Sequence, residues 1–131
     1  MIVDSSALLA VIFNEEDEPR FAEAMIDADV LRISAANWVE AATIVDSHRN
    51  PGARVRFEDL GEVLGLRIEP VTVADAHRTR AAHDEYGRGH HPARLNYGDC
   101  FAYALAKRYD EPLLFKGNDF SQTDIEPALK G

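Results

Sequence analysis

Four acidic residues, Asp4, Glu40, Asp99 and Asp119, stand where carboxylates can act together. Asp99 follows Leu95-Asn96-Tyr97-Gly98 and opens a run to Ala106 in which nearly every residue is apolar. That pattern reads as a helix buried on most sides, with Asp99 one turn inside it. An ionised carboxylate there is costly unless it caps, pairs or holds a metal. Each acid also has an ordinary role open to it. Asn96-x-x-Asp99 has the form of a capping box, and Asp4 suits the cap of the helix after it. Glu40 shares a polar stripe with Asn37, Thr43 and Ser47, while Trp38, Ala42 and Val45 form the core stripe. Gly117-Asn118-Asp119 suits a turn. Massed together, though, carboxylates repel unless protonated or bridged by a cation. Such a group suits magnesium, or manganese in its place, because hard divalent cations take oxygen ligands and need few protein carboxylates. The chemistry would be phosphate hydrolysis, since a bound ion activates water and stabilises charge on the leaving oxygen.

The elements needed to gather these acids can be read along the chain. Apolar strands are expected at 1–3, 30–33, 66–71 and 112–115, with a short edge strand at 124–126. Helices are expected at 5–13, opened by Ser5-Ser6, and at 18–28, opened by Glu18-Pro19. Two more follow at 38–49 and 51–65, the second with Val55, Leu60, Val63 and Leu64 inward. Another is capped by Thr72-Val73-Ala74-Asp75 and fades at Gly87 and Gly89. Residues 89–94 read as a loop, and His90-His91 has no companion at zinc-ligand spacing. Strands alternating with helices predict a largely parallel sheet with helices on both faces. Ligands bind at the carboxyl ends of such strands. Asp4 ends the first strand, Glu40 lies one turn into the helix after the second, and Asp119 follows the fourth. The helix carrying Asp99 feeds the fourth strand, so its N-terminus lies at the same rim. All four acids are therefore predicted to converge.

Length and composition bound the rest. The 131 residues predict a single domain spanning 1–131, and the lone Cys100 excludes an internal disulfide. No apolar run is long enough to cross a bilayer and no signal is evident, so a soluble, cytoplasmic protein is expected. The net charge of −9 is uneven: residues 1–46 hold ten acids against Arg20 and Arg32. Residues 76–95 reverse the balance, with Arg78, Arg80, Arg88, Arg94 and four histidines against Asp84 and Glu85.

Four blocks carry a family resemblance: Met1-Ile2-Val3-Asp4-Ser5-Ser6-Ala7-Leu8, the helix with Glu40, residues 95–106, and Phe115-Lys116-Gly117-Asn118-Asp119-Phe120. They resemble the blocks of PIN-domain ribonucleases, and more closely those of the VapC toxins of bacterial toxin–antitoxin pairs. The similarity spans essentially the whole chain, and its last two blocks are the most specific. It implies a PIN-like three-layer α/β sandwich, a magnesium- or manganese-dependent endoribonuclease, a homodimer and a cognate antitoxin that blocks the site. Carried over by position, Asp4 and Asp99 would be the main metal ligands. Glu40 and Asp119 would complete the catalytic acids, with Ser6 and Asn118 in support. Water would attack phosphorus in line, with Asp119 or Glu40 orienting it or taking its proton. Arg78, Arg80, Arg88 and Arg94 would grip flanking RNA phosphates or simply be solvated. The antitoxin would cover a groove formed by Phe13, Phe21 and Met25, unless these belong to the core.

Two other classes of function compete. A non-catalytic partner would use the acids to attract basic side chains of a protein or to hold an RNA without cutting it. A phosphatase or phospho-receiver would carry Asp-x-Asp after the first strand, whereas Asp4 is followed by Ser5-Ser6.

Overall fold

The computed structural model describes residues 1–129 and shows a four-stranded parallel sheet in the order β3-β2-β1-β4. The strands are β1 (Ile2–Val3), β2 (Arg32–Ser34), β3 (Arg67–Glu69) and β4 (Leu113–Leu114). The helices are α1 (Ser5–Ile12), α2 (Glu18–Asp27), α3 (Ala35–Ser47), α4 (Pro51–Leu64), α5 (Val73–Tyr86) and α6 (Tyr97–Tyr109), followed by a 3₁₀ turn at Asp119–Gln122. The expected α/β sandwich is the fold observed. Successive strand residues face opposite layers. Ile2 and Leu113 pack with α5 and α6, whereas Val3 and Leu114 pack with α1 to α4. β1 is only two residues long but is bonded on both sides, with Arg32 N donating to Met1 O and Asp4 N donating to Leu114 O.

Local chemistry sets the helix ends. Asp4 itself caps α1, accepting from Ser6 N, so the cap lies one residue before the expected serines. Ser34 caps α3, which begins three residues earlier than its apolar pattern suggested. Asn50 and Pro51 open α4, and Gly65, at φ +60°, closes it in the left-handed conformation. The inward face of α4 differs from expectation: Val55 is 57% exposed and Val63 81% exposed. Ala53 and Phe57 are buried, with Leu60 and Leu64 packed beside them, a 4-3-4 spacing that keeps one helical face. Val55 falls on the opposite side and Val63 on the flank, both open to solvent.

Phe21 and Met25 are buried core residues, so they form no open groove. Phe13 stacks with His48 at a centroid distance of 4.4 Å. The expected edge strand at 124–126 is reduced to a bridge between Leu113 and Pro127, with Leu113 N donating to Glu126 O. Pro127 lacks the N–H that would extend the ladder. Residues 89–94 form a tight turn closed by a Gly87–Leu95 bridge, which sets the end of α5 beside the start of α6. At the other end of this hairpin, Asp75 pairs with Arg108 at 3.1 Å and with Arg78 at 3.3 Å, so Arg78 is tied away from the other three arginines. Among the described residues, no helix is long and apolar enough to cross a membrane.

Candidate active site

Asp4 and Asp99 are both buried at the carboxyl rim of the sheet. Asp4 Oδ2 accepts from Ser6 N at 3.0 Å and from Ser6 Oγ at 2.6 Å. Ser6 Oγ accepts in turn from Lys116 N at 3.0 Å, linking the start of α1 to the segment after β4. The capping box of α6 is real: Asp99 N donates to Asn96 Oδ1 at 2.8 Å, and Asn96 N donates to Asp99 Oδ2 at 3.0 Å. Capping therefore uses Oδ2 of each aspartate. Asp4 Oδ1 is buried with no hydrogen-bond partner, an arrangement that costs free energy unless something fills it.

Glu40 arrives from α3 and is fixed by Ser5, whose Oγ donates to Glu40 Oε1 at 2.6 Å. Asn37, one turn earlier, is fully buried and donates from Nδ2 to Gly98 O at 2.9 Å. The same nitrogen lies 3.4 Å from Glu40 Oε1, so this side chain ties α3 to the first turn of α6. Gly98 leaves the space that the Glu40 carboxylate occupies, since a Cβ there would stand 2.5 Å from Oε2. Neither Ser5 nor Gly98 was a candidate from sequence. Asn37 was noted only as part of the polar stripe.

Asp119, in the 3₁₀ turn, is exposed but reaches Asp99, which donates to it when protonated. Asn118 is exposed and does not cap that turn. Among the described residues, no hydrogen bond joins its side chain to the four acids, in contrast to Ser6.

The electrostatics agree with this crowding. Burial, above all, raises the Asp4 carboxyl to about 6; the Ser6 hydrogen bonds oppose the rise and the charges of Glu40 and Asp119 add to it. Burial raises Asp99 to about 7, with the Asn96 hydrogen bond opposing and Asp4 and Asp119 adding. Burial and the Asp99 charge push the Cys100 thiol up to about 11, which excludes a ready thiolate. The opposite rim is neutralised: Arg32 pairs with Glu111 at 2.8 Å and Glu69 at 3.6 Å, and the N-terminal amine also meets Glu111. Asp46, Asp75 and Asp124 have cationic partners as well. Among the described residues, none of Asp4, Glu40, Asp99 and Asp119 has one within 4.0 Å.

A divalent cation fits this donor set. Its ligands are hard oxygens, one buried oxygen lacks a partner, and the surrounding charge is uncompensated. No group of three or more His, Cys, Asp or Glu residues among those described forms a ready cage.

Comparison with known proteins agrees with the fold and with the family resemblance. A PIN domain family profile matches residues 1–126. Ribonuclease VapC28 of Mycobacterium tuberculosis is 46% identical over 130 residues, covering 98% of each chain. Ribonuclease VapC30 of the same species is 43% identical over 127 residues, covering 95% of each. Among solved structures, a toxin–antitoxin complex from Klebsiella pneumoniae superposes with a TM-score of 0.70 at 18% identity, over 94% of this chain and 92% of that one. Mycobacterium tuberculosis VapC20, described as a sarcin-ricin loop cleaving toxin, gives 0.71 at 17% identity, over 96% of this chain and 98% of that one.

Proposed function

The chain belongs to the PIN domain family, alongside the VapC ribonucleases, and on that premise we propose that it is a divalent-metal-dependent endoribonuclease. We further assign it as the toxin of a cytoplasmic toxin–antitoxin pair, a homodimer held inactive by a cognate antitoxin. The observation that carries the catalytic reading is the juxtaposition of buried Asp4 and Asp99 with Asp119, without a neutralising cation among the described residues.

Asp4 and Asp99 would hold magnesium or manganese through the oxygens that capping leaves over. The ion supplies a lowered pKa for water and neutralises charge developing on phosphate oxygens. Ser6 and Asn96 fix the two aspartates through their Oδ2 atoms, so the metal-facing geometry is set before substrate arrives. Glu40, oriented by Ser5, and exposed Asp119 are placed to orient attacking water and accept its proton. Arg80, Arg88 and Arg94 are exposed around the α5–α6 turn and would contact flanking phosphates.

Incubation of the purified protein with cellular RNA should give endonucleolytic fragments with magnesium or manganese and none with excess chelator. Asp4→Asn should be inactive although it retains a good cap. Cleavage that persists in chelator would refute the assignment.

Gly98→Ala probes Glu40 alone. The new methyl meets the flexible end of Glu40, and alanine favours a helix by about 1 kcal/mol over glycine. The melting temperature should hold or rise, while cleavage falls by about 10- to 100-fold as Glu40 is pushed from Ser5. Unchanged cleavage would remove Glu40 from the proposed machinery.

A further inference from the structure

We propose that the cleft between α5 and α6 is a docking site for one unpaired base of the RNA, stacked on Tyr97. This rests on the ribonuclease reading and extends it to a substrate contact. Tyr97 is the first residue of α6, two positions before Asp99, and is 75% exposed. Its ring meets Phe101 edge-on, with centroids 4.9 Å apart and planes at 77°, so its attitude is set before any ligand binds. The two rings, with buried Cys100 and Thr79, line a cavity of about 330 Å³, at the small end of ligand sites. Arg80 and His83 of α5 complete the lining.

Charge identifies the occupant. The chain as a whole carries −9 and repels a polyanion, yet this hairpin presents Arg80, and Arg88 and Arg94 at its turn, all exposed. An aromatic face with cations beside it is the combination that holds single-stranded nucleic acid, the ring taking the base and the cations taking the phosphates. A partner helix would use the apolar walls but not the arginines. Tyr97 stands at the N-terminal end of α6 on the face turned toward α5, while Asp99, two residues on, faces the other side of the helix.

The test uses the Asp4→Asn protein, so that binding is measured without cleavage, and a short single-stranded RNA with or without a base at each position in turn. One abasic position should weaken binding by about 10- to 100-fold. Adding Tyr97→Ala should abolish that difference, whereas Tyr97→Phe should keep it. In the cleaving protein, Tyr97→Ala should raise KM by a similar factor and leave kcat within about twofold. Equal affinity with and without Tyr97, or conversion of a dimer to monomer by Tyr97→Ala, would overturn the proposal, the second result in favour of a second copy. If the wild type binds with the base dependence but cuts no RNA, the cleft stands and the ribonuclease reading falls.

Discussion

Asp99→Asn should abolish RNA cleavage and, in the metal-free protein above about pH 7, raise the melting temperature. The loss of activity follows if Asp99 is one of the two aspartates that hold the cation, as proposed, and should exceed about 100-fold, the upper range for removing a supporting contact. The gain in stability follows from the raised carboxyl. An aspartate held at about 7 in the fold, against 3.8 ordinarily, binds its proton more tightly when folded. Its contribution is fully present below 3.8 and is lost as pH rises through about 7. Ionising it in the metal-free fold costs on the order of a few kcal/mol. The introduced amide never ionises, can accept from Asn96 N as Oδ2 does, and can donate to Asp119 as the protonated acid does. Wild type and variant should therefore melt together near about pH 4 and diverge by roughly 5 to 15 °C above about pH 7. Thermal melts across pH in chelator check this. Parallel curves would show that Asp99 ionisation imposes no such cost.

This dual outcome separates roles that the sequence superimposed. Asn96-x-x-Asp99 read as a capping box or a metal ligand; the structure shows the capping box, made through Oδ2 alone, so the proposed metal role does not compete with it for the same oxygen. The same holds for Asp4. Convergence of the acids was legible because parallel topology alone sends the end of β1, the starts of α3 and α6 and the segment after β4 to one rim. What holds Glu40 was not legible. The Ser5 contact, the Asn37 bridge and the space at Gly98 depend on how closely α3 approaches α6, a tertiary distance that no local pattern encodes. Val55 and Val63 misled for a related reason: apolar identity suggested burial, while the 4-3-4 spacing of Ala53, Phe57, Leu60 and Leu64 carried the real face. Phe21 and Met25 went the other way, their 4-residue spacing marking a core stripe of α2.

Magnesium should stabilise the wild type, and the size of that effect should depend steeply on pH. An ion that binds only the folded state raises stability by mass action, by about 2.7 kcal/mol at a hundredfold excess over Kd. Here it must compete with protons, because Asp4 is raised to about 6 and Asp99 to about 7. Near about pH 5 both are largely protonated and the ion has to displace them, so the melting temperature should scarcely move. Above about pH 7 both are ionised and uncompensated, and the same magnesium should add roughly 8 to 14 °C. Titration calorimetry near about pH 6, repeated in buffers of different ionisation enthalpy, should show protons released as the ion enters. Asp4→Asn should lose both the pH dependence and most of the stabilisation. General screening of a chain with net charge −9 offers the competing explanation, and sodium chloride at matched ionic strength isolates it. Stabilisation that sodium reproduces, or that survives Asp4→Asn, would place the ion on the acidic surface at large rather than between Asp4 and Asp99.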